Sequence, residues 1–228
     1  MAETALWPTN DSDRPVWQGA DARQRLGELE IDLDSILAGL RAGDLAERQT
    51  DEFSAVTAAG TERWNHTVQE LRRNLAMLGW RVQNPNNSPR IVRPDGELSI
   101  AVVSGNANTG NPNREPSNAH ALGPTVDESV LRNRTREVVG QFVLDGVEDA
   151  AVEDAVNRSA LGPTTWILLY AGDAATGVRA ELSHPNMTDD SFVSHWQERI
   201  IIPTNTPPDE TLPLETPIED VPFDIREA

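Results

Sequence analysis

Ser104, Asn106, Asn108 and Thr109 lie in the segment SGNANTG (104–110), at the end of a run that reads as a β-strand. Hydroxyl and carboxamide groups both donate and accept hydrogen bonds, and glycine permits backbone angles that let a loop approach a ligand closely. The Gly105–Gly110 spacing resembles that of a phosphate loop, but Asn111-Pro112 stand where that motif needs lysine and a hydroxyl residue. The polar stretch continues through NPNREPSNAHALGP and adds Arg114 and His120. Connections this long are functional or mobile. The 104–125 region is therefore the candidate binding surface, for a protein or a small ligand, with Ser104, Asn106, Asn108, Thr109, Arg114 and His120 as its contacts.

A second set of residues has the chemistry of a metal site. His184 and His195 flank Asp189 and Asp190, and Glu97 and Glu181 fall on segments that read as neighbouring strands, with Asp95 and Asp173 in the turns. Imidazole and carboxylate ligands suit divalent ions. A metal-dependent hydrolase built on Glu97, Glu181, His184 and His195 is thus one alternative, although their spacing matches no compact ligand motif. His66, on a helical segment, reads as a surface or interhelix residue. No G-x-S-x-G, H-E-x-x-H, EF-hand or dinucleotide-binding pattern occurs, and no cofactor is implied.

Composition narrows the chemistry further. The chain has no lysine and no cysteine; its 19 basic residues are all arginine, against 37 acids, for a net charge of −18. Schiff-base chemistry, thiol catalysis, disulfides and thiolate metal sites are excluded. GC-rich coding accounts for arginine in place of lysine. A surface this acidic repels phosphate backbones and anionic lipid, so direct nucleic-acid binding and membrane association are disfavoured. It leaves open a further alternative, an acidic decoy whose carboxylates imitate DNA phosphates. The first residues hold no apolar signal-peptide core, no apolar run approaches the ~18–20 residues of a membrane span, and cysteine is absent. Together these point to a soluble cytoplasmic protein.

The elements that must position these residues are punctuated by glycine and proline. Residues 1–20 read as a loose arm with Trp7 and Trp17 as its large apolar groups. Leucine and isoleucine at three- and four-residue steps predict a helix over 22–42, capped by Asp21 and stopped by Gly43. A second helix is predicted from Asp44 to Gly60, and a third over 62–78, closed by Gly79. From Trp80 the period changes to that of strands. Asp95-Gly96 predicts a hairpin between RIVRP and ELSIAVVS, and a second hairpin is predicted in TTWILLY-AGDAATG-VRAELS. Helices are expected over 127–145 and 147–160, and a last strand over 199–202. The proline-spaced acidic segment 204–228 reads as a disordered tail.

The expected fold class is α+β: an N-terminal three-helix unit (21–79), then a domain (80–203) with a small, mainly antiparallel sheet and one or two helices. ALGPT occurs at 121–125 and again at 160–164, and shared turn chemistry accounts for both copies.

From Leu98 onward the segments VVSGNANTG (102–110), LGPT (122–125), TWILLYAGDAATGVRAELSHP (165–185) and WQERIIIP (196–203) resemble a set of uncharacterised proteins of actinobacteria and their phages or mobile elements. The resemblance covers about half the chain and implies an origin rather than a mechanism. The leading expectation is a non-enzymatic binding or accessory protein acting through the 104–125 region.

Overall fold

The computed structural model describes residues 14–143, 162–172 and 177–204. Trp7, the helix expected over 147–160, Asp173 and the acidic segment from 205 onward lie outside the described residues.

Three helices precede all but the first strand of the sheet, but they divide differently from the sequence expectation. The predicted 22–42 helix is two: α1 (Gly19–Glu28) and α2 (Leu33–Arg48). Between them Glu30 takes a left-handed φ of 58°, with Glu30 N–H donating to Gly27 O and Ile31 N–H to Leu26 O. This is the paired bonding of a Schellman stop, with glutamate where glycine is usual. Asp32 then restarts the helix by accepting from Ser35 N at 2.8 Å. The apolar stripe gave no sign of the break because both helices face the same core.

Gly43 does not stop α2. A Cβ there would sit on the Thr67 hydroxyl and 2.6 Å from the Arg63 carbonyl oxygen, so the glycine lets α2 lie close on α3 (Ala58–Met77). Gly39, one turn earlier, is 3.0 Å by the same measure from Thr67 O. Asp44, expected as a cap, pairs instead with Arg48 at 2.6 Å. Gly60 falls inside the first turn of α3 rather than ending a helix. Gly79 does close α3, at φ 90°.

The strands form one seven-stranded mixed sheet in the order β1-β7-β6-β5-β4-β3-β2. They are β1 (Val16–Trp17), β2 (Arg81–Gln83), β3 (Arg90–Val92), β4 (Leu98–Ser104), β5 (Thr164–Ala171), β6 (Arg179–Asp189) and β7 (Phe192–Ile202). Both predicted hairpins are present, β3–β4 and β5–β6. The sheet is larger than expected, and it is not wholly antiparallel. β4 and β5 run parallel from Leu98↔Thr164 to Ser104↔Tyr170, joined across α4 (Pro124–Val143). β1 pairs parallel with β7, so the arm expected to be loose is fixed from Pro15 onward, with Arg199 N–H donating to Pro15 O. Trp17 Nε1 and Arg25 both donate to Glu198, which ties this arm and α1 to the same strand.

The segment between His184 and His195, which holds Asp189 and Asp190, is not a long loop: it belongs to β6, β7 and the turn between them. The strand passes through Pro185 because register shifts on both sides of that residue absorb its missing N–H. Asp190 and Ser191, both at positive φ, make the two-residue turn.

Each face of the sheet carries helix. Trp166, Leu168 and Tyr170 of β5 join Ile100, Leu182 and Ile200 in one core with Leu26, Ile36, Leu71 and Leu75 of α1–α3. Ile167 and Leu169 point the other way and pack with Val130 of α4, Leu122, Val193 and Trp196. Burial on both faces explains the unbroken apolar run of β5. The helical unit thus has no separate core; it shares one with the sheet. The fold is α+β, and among the described residues no helix is long and apolar enough to cross a membrane.

The two ALGPT copies open different elements. Pro124 is the first residue of α4, with Val126 and Asp127 N–H donating to Gly123 O, whereas the second copy leads through Gly162 into β5.

Candidate functional site

Where β4 and β5 end side by side, their carboxyl ends open into a cleft of about 580 Å³. One wall is the end of the sheet: Ser104, Gly105, Tyr170, Ala171 and Gly172. The facing wall comes from α2 and the first turn of α3, with Glu47, Gly60, Arg63 and Trp64. His120 closes the third side from the far end of the loop that leaves β4. Crevices at the carboxyl ends of parallel strands are the usual ligand positions in open sheets with helices on both faces.

Arg63 dominates the electrostatics of this cleft. It is only 5% exposed. Its guanidinium stacks on the Tyr170 ring, with the central carbon 5.0 Å from the ring centroid. Nη1 donates to Glu47 Oε2 at 2.9 Å and also to Gly172 O. Nη2 is buried and has no hydrogen-bond partner among the described residues. Burial pushes the Tyr170 phenol up to about 12; the Arg63 charge works against that shift and Glu47 adds to it, so at neutral pH the phenol is a neutral donor. Trp64 is held by its own bond, Nε1 to Val102 O at 3.0 Å.

α3 opens onto this cleft without a side-chain cap at Thr57 and without an acidic residue in its first turn. Its partial positive end is therefore not offset locally. A Cβ built on Gly60 meets nothing within 4 Å, so this part of the cleft is open space.

Of the six residues proposed from sequence for the binding surface, Ser104 and His120 line the cleft. The others serve the loop itself. Asn106 accepts from Asn108 N at 3.0 Å, and Asn108 Nδ2 donates to Glu115 O at 2.9 Å. Thr109 is fully buried, packed against Gly105. The Arg114 side chain is exposed, and its carbonyl accepts from Arg199. The loop is laid across the α4 side of the sheet. There Asn118 bonds Ser191 O, His120 O and Val193 N, while Trp196 Nε1 donates to Pro116 O at 2.9 Å. Asn106, Asn108 and Asn118 are spent on bonds that hold the loop, the Thr109 hydroxyl is buried without a hydrogen-bond partner among the described residues, and of this region Ser104, Gly105 and His120 line the cleft.

Glu97, Glu181, His184 and His195 do not converge. Glu181, fully buried, lies on the α4 side, bound to Arg199 Nη2 at 2.6 Å and accepting from Gly110 N and Ser183 Oγ. His184 lies on the opposite side, stacked on Trp166 with ring centroids 5.2 Å apart. Burial lowers His184 to about 4, so it is neutral. His184 shares a second cleft, of about 540 Å³, with exposed Glu97, at the other end of the sheet. His195 sits opposite Met187 on β7. Among the described residues no group of three His, Asp or Glu side chains is placed to hold a metal ion.

The sequence reading missed Arg63, Trp64, Tyr170 and Glu47 as site residues. Glu47 and Arg63 are sixteen positions apart, and Arg63 and Gly172 over a hundred, so no local spacing signals them. No protein family, curated protein or solved structure matches this chain.

Proposed function

We propose that this chain is a non-enzymatic binding protein that takes a small ligand in the cleft at the carboxyl ends of β4 and β5. The observation that carries this is the meeting there of both ends of the 104–125 region, through Ser104 and His120, with the Arg63–Tyr170 pair and the open first turn of α3. The cleft has the size of small-molecule sites and mixes aromatic walls with a few polar groups. The binding region expected from sequence is thereby narrowed from the whole loop to its two ends.

Filling the cleft tests the proposal. Gly60→Trp places an indole in open space on a helical residue, so the fold should be retained. Saturation-transfer NMR of the full chain with a panel of nucleosides, nucleotides, amino acids, sugars and aromatic acids should find at least one binder. That signal should vanish in the variant while its melting temperature is unchanged or raised. A panel without binders, or binders indifferent to the variant, would overturn the proposal.

A further inference from the structure

The polar groups around the cleft narrow the class of ligand. Arg63 is more than nine-tenths buried, and a buried guanidinium nitrogen without an acceptor is costly to leave unsatisfied. Nη1 is already held by Glu47 and Gly172 O, so the idle Nη2 is the donor left for an arriving group. Nη2 itself is shielded from solvent within the cleft wall that Arg63 lines, so an incoming oxygen would engage it through a turn of the guanidinium. Beside it, the first turn of the twenty-residue α3 presents uncapped positive dipole toward the same space. Both features reward an oxygen acceptor, and a charged one most. Among the described residues Glu47 is the single carboxylate on the cleft wall, and it is bound to the same guanidinium. The net charge of −18 opposes approach of an anion at long range, but over more than about 8 Å that repulsion is screened at physiological salt.

We infer that the cleft binds an organic anion, with its phosphate or carboxylate seated between Arg63 and the N-terminus of α3 and its flat body against Trp64 and Tyr170. This rests on the cleft being a ligand site, as proposed above. The negative charge enters without a metal ion. Glu47 tunes affinity by competing for Arg63.

Isothermal titration of the full chain with charged and neutral pairs tests this. The probes are adenosine 5′-monophosphate against adenosine, benzoate against benzamide, and inorganic phosphate alone. At least one anion should bind about tenfold more tightly than its neutral partner, and the arm that responds identifies phosphate or carboxylate as the source. Glu47→Gln keeps an acceptor for Arg63 but removes the competing charge; it should tighten the anion about threefold or more and leave the neutral partner unchanged. Gly60→Glu should bind the anion about tenfold more weakly than the nearly isosteric Gly60→Gln. Arg63→Lys should lose most of the anion preference; because Arg63 also holds Tyr170 and Gly172, the Glu47 and Gly60 variants carry the result independently of how that protein folds. Anion and neutral partner bound alike, with no response to Glu47→Gln or to Gly60→Glu against Gly60→Gln, would overturn the anion assignment and leave the cleft as a site for neutral ligands. No binding by any probe, together with an empty wider panel, would overturn both.

Discussion

Two buried arginine–glutamate pairs stand on opposite faces of the same sheet, and they are finished differently. On the α4 face every polar group of Arg199 is used: Nε and Nη2 on Glu181, and Nη1 and Nη2 on the carbonyls of Arg114 and Asn111. Glu181 in turn accepts from Ser183 and Gly110. That pair is closed, and it pins the 105–118 loop to the sheet. On the α1–α3 face Arg63 has a partly exposed carboxylate partner and one nitrogen with no acceptor among the described residues. Satisfied completely, a buried ion pair fixes a loop; satisfied incompletely at a cleft wall, it leaves a donor over.

The largest effect should come from cutting the closed pair. Glu181→Gln leaves Arg199 buried without its countercharge and should cost about 3–5 kcal/mol in urea denaturation. Glu47→Gln, at a carboxylate reached by water, should cost under about 1 kcal/mol. Equal losses would erase the distinction between the two sites.

A pair of glycines gives the next test of which surfaces near Arg63 are packed and which are open. Gly43→Ala drives a methyl into Thr67 and the Arg63 backbone and should destabilise by about 2–3 kcal/mol. Gly60→Ala, in the same helix pair but facing the cleft, should stabilise by about 0.5–1 kcal/mol through helix propensity. Loss of stability in both would mean that the cleft is not open at Gly60. Thermal unfolding of the two variants decides it.

The smallest effect separates charge from titration. His184 supplies a loss of stability between pH 6.5 and 4. Its folded value of about 4 lies below its ordinary 6.5, so the unfolded chain binds the proton first. The contribution is whole above pH 6.5 and is lost as pH falls toward 4, on the order of 2 kcal/mol. His184→Phe keeps the stack on Trp166 and should flatten that part of the profile relative to the parent. Parallel profiles would remove His184 as the cause.

What could be read from sequence was what local physics controls. Asp95-Gly96 gave the β3–β4 hairpin, Gly79 the end of α3, and the apolar run at 166–170 a strand of the second hairpin. Local rules failed where a contact from elsewhere outweighed them. Glu30 takes a glycine's conformation because Ile31 packs into the core behind it, and Gly43 is a spacer for α3 rather than a stop. Pro185 hid a strand because a bulge was needed to admit it. The parallel pairing of β4 with β5 depends on a crossover sixty residues long, which no hairpin signal reports. The cleft was half legible for the same reason: Ser104 and His120 stood out by composition, while Arg63, Glu47 and Tyr170 acquire meaning only from their meeting.

The short parallel strand β1 bears on the order in which this molecule can be built. Val16 and Trp17 pair with Arg199 and Ile200, and Trp17 and Arg25 bind Glu198, over 170 residues later. The α2–α3 hairpin can form as soon as it leaves the ribosome, since its contacts are local. α1 and the segment before it must wait for β7. During synthesis Trp17, Ala22 and Leu26 are then exposed for as long as the intervening chain takes to appear, at roughly 5–20 residues per second. The earliest part of the described chain to be made is thus among the last to be secured, and its docking marks completion of the sheet.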